Sequence, residues 1–182
     1  MSIPSSPKPA KLIIGAYMAD KGLFPELAAE LTSLFGPADI ISAWFDFDYT
    51  TYYHKEMGSP LFRRLLAFKT LIAQKELATI KLTTNRIEQR TAEEGRRKFN
   101  IDPGYLLLER FVLATGKNFT HRIYLEQGIY ADLTLVYSRG GFQMLPWTYP
   151  DYADVKMLDY LTAVRNKYQL DLKQTAKESK KN

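Results

Sequence analysis

The stretch KFNIDPGYLLLERFVLATGKNFTHRIYLEQGIYADLTLVY (residues 98–137) decides the fold, because turn residues punctuate a long apolar run there at short intervals. Asp102-Pro103-Gly104 predicts a turn, since proline presets one dihedral and glycine accepts a positive one. LLLERFVLA (106–114) is apolar on nearly every side and is buried in any conformation; strand and helix both fit 105–114. Gly116-Lys117-Asn118 predicts a second turn. HRIYL (121–125) and IYADLTLVY (129–137) then make a hairpin closed through Glu126-Gln127-Gly128. Alternation places Ile129, Ala131, Leu133 and Leu135 on one side of its second strand and Tyr130, Asp132 and Thr134 on the other. Ser138 to Gly141 turns the chain again, and FQML (142–145) adds a third strand to a meander.

Upstream, KLIIGAYM (11–18) predicts a strand. Residues 24–35 predict a helix with Pro25 in its first turn, Leu27, Leu31 and Leu34 at helical spacing, and Gly36-Pro37 as the stop. ADIISAWFDFDY (38–49) predicts one strand, and 50–60 a loop carrying Tyr52, Tyr53 and His54. LFRRLLAFKTLI (61–72) fits a strand or a helix. Residues 74–94 predict a helix with Leu77, Ile80, Thr84 and Ile87 on one stripe and Gly95 at its end. Downstream, WTYPDYAD (147–154) is a connection, and a last helix over 154–170 turns Val155, Leu158, Leu161 and Tyr168 inward. The sum is α+β: a largely antiparallel sheet with helices on one face, its first two-thirds compatible with a ferredoxin-like βαββαβ core that the C-terminal meander extends. One domain over 11–172 is expected, between a disordered leader (1–10) and a basic disordered tail (173–182).

A composition 46% hydrophobic and 25% charged is that of a folded protein. Zero cysteines exclude disulfides, thiolate metal sites and cysteine nucleophiles. The net charge of +5 resides on residues 1–11 and 173–182, and the body between sums to zero, so a nucleic-acid partner is not expected. No apolar segment is long enough to cross a membrane, and the protein is expected to be soluble and cytoplasmic.

No known catalytic signature occurs, so the chain names no reaction and no cofactor. ATGKN (114–118) lacks the first glycine and the final Ser or Thr of a P-loop. His54 and His121 each lack a second histidine at ligand spacing, and an oxygen-ligand site from Asp46, Asp48 and Glu56 competes with plain surface carboxylates; no metal is expected. The set with most chemistry is cationic: Lys117, His121 and Arg122 cluster at the mouth of the hairpin with Tyr124 nearby, and Lys81, Asn85 and Glu88 recur along one face of the 74–94 helix. Brought together, Lys81, Asn85, Lys117, Arg122 and Tyr124 would bind an anionic, phosphorylated or nucleotide-like small molecule. His121 would then act as acid or base, oriented by Asp102 or Asp132. The competing expectation is a non-catalytic protein-interaction module using Tyr52, Tyr53, Trp147 and Tyr149.

YYHKEMG (52–58), KLTTNRIE (81–88), NIDPGYL (100–106), VLATGKNFTHRIYL (112–125), GIYADLTL (128–135) and LPWTYPDY (145–152) together resemble an uncharacterised bacterial family, domain of unknown function 4416. The resemblance implies a cytoplasmic bacterial protein and implies no activity.

Overall fold

The computed structural model describes residues 1–178 of the chain. Residues 1–9 are exposed and carry no helix or strand. The ordered chain then runs β1 (Ala10–Met18), α1 (Phe24–Phe35), β2 (Ala38–Ile41), β3 (Phe45–Phe47), α2 (His54–Met57), β4 (Leu61–Ile72), α3 (Leu77–Arg90), β5 (Phe99–Leu106), β6 (Arg110–Thr115), β7 (Arg122–Glu126), β8 (Ile129–Ser138), β9 (Gly141–Met144) and α4 (Val155–Glu178).

All pairings among the nine strands are antiparallel, and the order is β2-β4-β1-β5-β6-β8-β7, with β3 on β4 and β9 on β8. The segment β2-β4-β1-β5, with α1 linking β1 to β2 and α3 linking β4 to β5, is the ferredoxin-like split βαβ order. The meander continues the same sheet beyond β5. Its hairpin turns at Gln127-Gly128 and Arg139-Gly140 have positive φ at both central residues, which matches the right-handed twist of the strands they join.

Every residue of β1 is buried, so both faces of the sheet are covered. Leu12, Ile14, Ala16 and Met18 pack with Phe24, Leu27 and Leu31 of α1 and Ile80 and Ile87 of α3. On the opposite face Lys11 reaches Asp171 of α4, and Ile13, Leu65 and Ala67 share a core with Met157, Leu161, Val164 and Tyr168. Helices therefore lie on both faces and not on one. The inward stripe of α4 also differs from expectation: Val155 is 71% exposed, and Met157 takes its place. The helix continues to Glu178, past the expected end at 170 and into the expected tail; residues 179–182 lie outside the described residues.

Two further expectations are corrected, and one open alternative is decided. Residues 38–49 form two strands because Ser42 interrupts them: it is buried, and its hydroxyl donates to the Ala43 carbonyl while accepting from the Leu65 N–H. Residues 61–72 and 105–114 resolve as strand, the latter with a tight turn at Leu107–Glu109. Asp102-Pro103-Gly104 is no turn but the middle of β5. Proline is tolerated there because β6 pairs with β5 only from Gly104 onward, leaving Pro103 a strand neighbour on the β1 side alone. Gly104 serves close approach: a Cβ at this position would lie 2.6 Å from the Val112 carbonyl oxygen of β6.

Candidate functional site

β5 and β6 are joined only across Gly104–Leu106 and Phe111–Leu113. Before that point β5 stays with β1, and after it β6 stays with β8, so the sheet splits. The split opens into a cavity of about 640 Å³, a volume suited to a small molecule. Asn100 and Asp102 line it from β5, and Leu113 to Lys117 from β6 and the loop after it. Lys81, Asn85 and Glu88 close it from α3, while Tyr17, Tyr52, Tyr53 and the 149–152 connection supply aromatic walls. The polar stripe read along α3 is therefore turned to the cavity and is not a solvated face.

The α3 stripe reaches over the unpaired edge of β5. Lys81 Nζ donates to the Ile101 carbonyl (2.7 Å) and lies 3.3 Å from Asp102 Oδ1. Glu88 Oε1 accepts from the Ile101 N–H (2.5 Å) and Oε2 from Arg97 Nη1 (2.9 Å). Arg97 also donates to both oxygens of Glu56 and to Asn100 Oδ1 (2.8 Å). Burial pushes the Glu88 carboxyl above its ordinary range despite the charges of Lys81 and Arg97. Hydrogen bonds from Arg97 hold Glu56 below that range. In a carboxyl-carbon NMR titration Glu88 should be the higher of the two and Glu56 the lower. Because the folded value is raised, the stability linked to Glu88 is full below its unfolded pKa and is lost as pH rises through the folded one.

At the mouth, Arg122 lines the cavity but is committed three ways. Nε donates to Asp132 Oδ2 (2.8 Å), Nη1 to the Lys117 carbonyl (2.9 Å) and Nη2 to the Tyr149 hydroxyl (2.7 Å). Asp132 does meet His121, whose Nε2 lies 3.3 Å from the same oxygen. The imidazole, however, stacks on Trp147 (4.8 Å, 11°), whose Nε1 donates to the Leu133 carbonyl, and His121 does not line the cavity. Tyr124 does not line it either; it is 57% exposed on the outermost strand, edge-on to Tyr130. Lys117 Nζ lies 4.9 Å from the centre of the Tyr52 ring and has no carboxylate partner among the described residues. Glu56 is drawn to Arg97, away from the smaller cavity that Asp46 and Asp48 line.

Sequence reasoning missed the groups beneath the floor. Arg63 is 1% exposed on its side chain, sandwiched between the rings of Tyr17 (4.8 Å) and Tyr152 (4.0 Å), and paired through Nη1 with Asp151 Oδ2. Gly15 on β1 makes room for it: a Cβ there would stand 3.3 Å from Nη2. Asp151 lines both the main cavity and a second one of about 220 Å³. A signal was present, since strand alternation in LFRRLLAF puts Arg63 on the face of Leu61 and Leu65, where a charge requires a partner.

A family model described as Domain of unknown function (DUF4416) matches residues 8–168. No curated protein and no solved structure matches the chain. Among the described residues no helix is long and apolar enough to cross a membrane.

Proposed function

We propose, for a chain that belongs to the DUF4416 family over residues 8–168, that the split sheet binds a small anionic molecule, phosphorylated or nucleotide-like, in the bacterial cytoplasm. The supporting observation is the state of the cations around the cavity. Lys81 is paired with Asp102, Arg97 with Glu56 and Glu88, and Arg122 with Asp132. Lys117 alone among these four stands at the opening without a counter-charge, which is where an anion gains most. Of the residues named for an anion site, Lys81, Asn85, Lys117 and Arg122 line this cavity and Tyr124 does not, which supports the reading in part. Binding ranks ahead of catalysis, because His121 is stacked away from the cavity and Asp132 is held by Arg122; Asp102 would be the acid or base of any reaction.

A thermal-shift screen of nucleotides, sugar phosphates, polyphosphates and carboxylates, run on the wild type and Lys117→Ala, tests this. A ligand at 100 times its dissociation constant stabilises by about 2.7 kcal/mol, roughly 5–10 °C for this size. Loss of one charged hydrogen bond, about 1.5–3 kcal/mol, should weaken binding roughly 10- to 100-fold and remove most of the shift in Lys117→Ala. Silence across the panel would favour the protein-interaction module through Tyr52, Tyr53, Trp147 and Tyr149, to be followed by capture with Trp147→Ala as control. Tyr52, Tyr53 and Tyr149 line the cavity, and Tyr52 and Tyr149 are also exposed at its rim.

A further inference from the structure

We infer that the ligand is a zwitterion, an amine-bearing phosphate whose anionic end meets Lys117 at the mouth and whose ammonium end meets Asp102 further in. The inference rests on the anion-binding reading above and adds a cationic pole to the ligand.

Asp102 is the carboxylate that the fold leaves available. Its Oδ1 meets Lys81 Nζ only at 3.3 Å, because that ammonium makes its shorter bond, 2.7 Å, to the Ile101 carbonyl. Asp102 Oδ2 accepts no hydrogen bond from the described residues. The side chain lines the cavity and is 26% exposed, and Oδ2 is not enclosed by protein. The charges around it leave a surplus of the same sign. Four cations at the cavity or beneath it, Arg63, Lys81, Arg97 and Arg122, each meet a carboxylate, and Arg97 meets two, Glu56 and Glu88. With histidine neutral, the inner end therefore has one carboxylate more than it has cations, while Lys117 stands at the opening without a counter-charge. The other acids are each held by an arginine, and Asp102 has only the longer contact to a lysine.

An ammonium matches this surplus better than a metal ion does, since among the described residues no three acidic or histidine side chains are grouped to hold one. An ammonium also needs acceptors beside the carboxylate. The Asn85 amide, one turn along α3 from Lys81, and the Tyr53 hydroxyl line the cavity without hydrogen-bond partners among the described residues. Burial, and next the charge of Asp102, raise the Tyr53 phenol above its ordinary value, so it stays neutral within the field of that carboxylate. The two poles fix the direction of the ligand. A phosphate turned inward would meet the surplus of acids, and an amine turned outward would meet Lys117.

Calorimetric titration of wild type, Asp102→Asn and Lys117→Ala with aminoethyl, aminobutyl and aminohexyl phosphate tests this. Each is compared with the plain ethyl, butyl or hexyl phosphate of the same length, so that only the amine differs. At one length or more, wild type should bind the amine about 10- to 100-fold more tightly than its plain counterpart, the range expected for one charged hydrogen bond. Asp102→Asn should cancel that advantage and leave the plain phosphate unchanged, whereas Lys117→Ala should weaken both members of a pair alike. Lys81 keeps the Ile101 carbonyl in Asp102→Asn, and should that variant fail to fold, the wild-type pairs decide unaided. If amine and plain phosphate bind equally at every length, or if Asp102→Asn retains the preference, the zwitterion assignment is wrong while the anion site stands. If no phosphate of either series binds, the anion reading itself falls and takes this inference with it.

Discussion

Arg63→Met is expected to destabilise the fold by about 3–5 kcal/mol, roughly 6–20 °C in melting temperature, and Arg63→Met with Asp151→Leu to recover most of that loss. The reasoning turns on what each variant leaves behind. Arg63 is fully buried, and its guanidinium is held by Asp151 and by the faces of two tyrosines. Removing it strands the Asp151 carboxylate with the Tyr17 hydroxyl at 3.2 Å as its remaining donor from the neighbouring strands. An uncompensated buried charge is far costlier than an absent pair, which is why the double variant should melt above the single one. Urea unfolding of the three proteins decides the matter: a single variant within 1 kcal/mol of wild type would show that the pair contributes nothing.

The second large effect is expected at the far end of β1. Lys11 Nζ lies in a fully buried position, 2.5 Å from Asp39 Oδ2 and 2.7 Å from Asp171 Oδ2, with Lys167 reaching both acids from α4. Lys11→Met leaves two carboxylates with one partly exposed cation and should cost about 3–5 kcal/mol at neutral pH. The effect carries a pH signature. Burial alone would raise the Asp171 carboxyl, but hydrogen bonds from Lys11 and Lys167 outweigh it and hold the group below its ordinary value of 3.8. A depressed carboxyl gives stability that is present above the unfolded pKa and lost as pH falls through the folded one. The gap between wild type and Lys11→Met should therefore narrow below pH 3.8, and a gap independent of pH would mean that lost packing, and not charge, is responsible.

What could be read from the chain follows the range of the interactions involved. The 121–137 hairpin, α1 and the stripe of α3 depend on residues a few positions apart, and each was legible. The ferredoxin-like order was also legible, since it follows from the succession of elements. Asp102-Pro103-Gly104 was misread because turn propensity is local, whereas the partnerless side of β5 is set by where a strand further along the chain begins to pair. The burial of α4 on the second face escaped notice for the same reason: its apolar stripe does not say which surface it will meet. Of the candidate site residues, Lys81, Asn85, Asp102, Lys117, Arg122 and Asp132 line one cavity. The sequence points to His121 as acid or base because it falls beside Lys117 and Arg122 at the hairpin mouth, but Trp147, 26 residues on, stacks on it and His121 does not line the cavity.

The three residue pairs that join β5 to β6 have a mechanical consequence. They act as the pin of a pair of jaws, one arm built from the ferredoxin-like half and the other from the meander. At the pin the backbones are so close that Gly104 admits no side chain, which leaves little slack. A small rotation there is magnified with distance along the arms, so the gape of the cavity is set at its inner end, where Leu113 both pairs with Gly104 and lines the cavity.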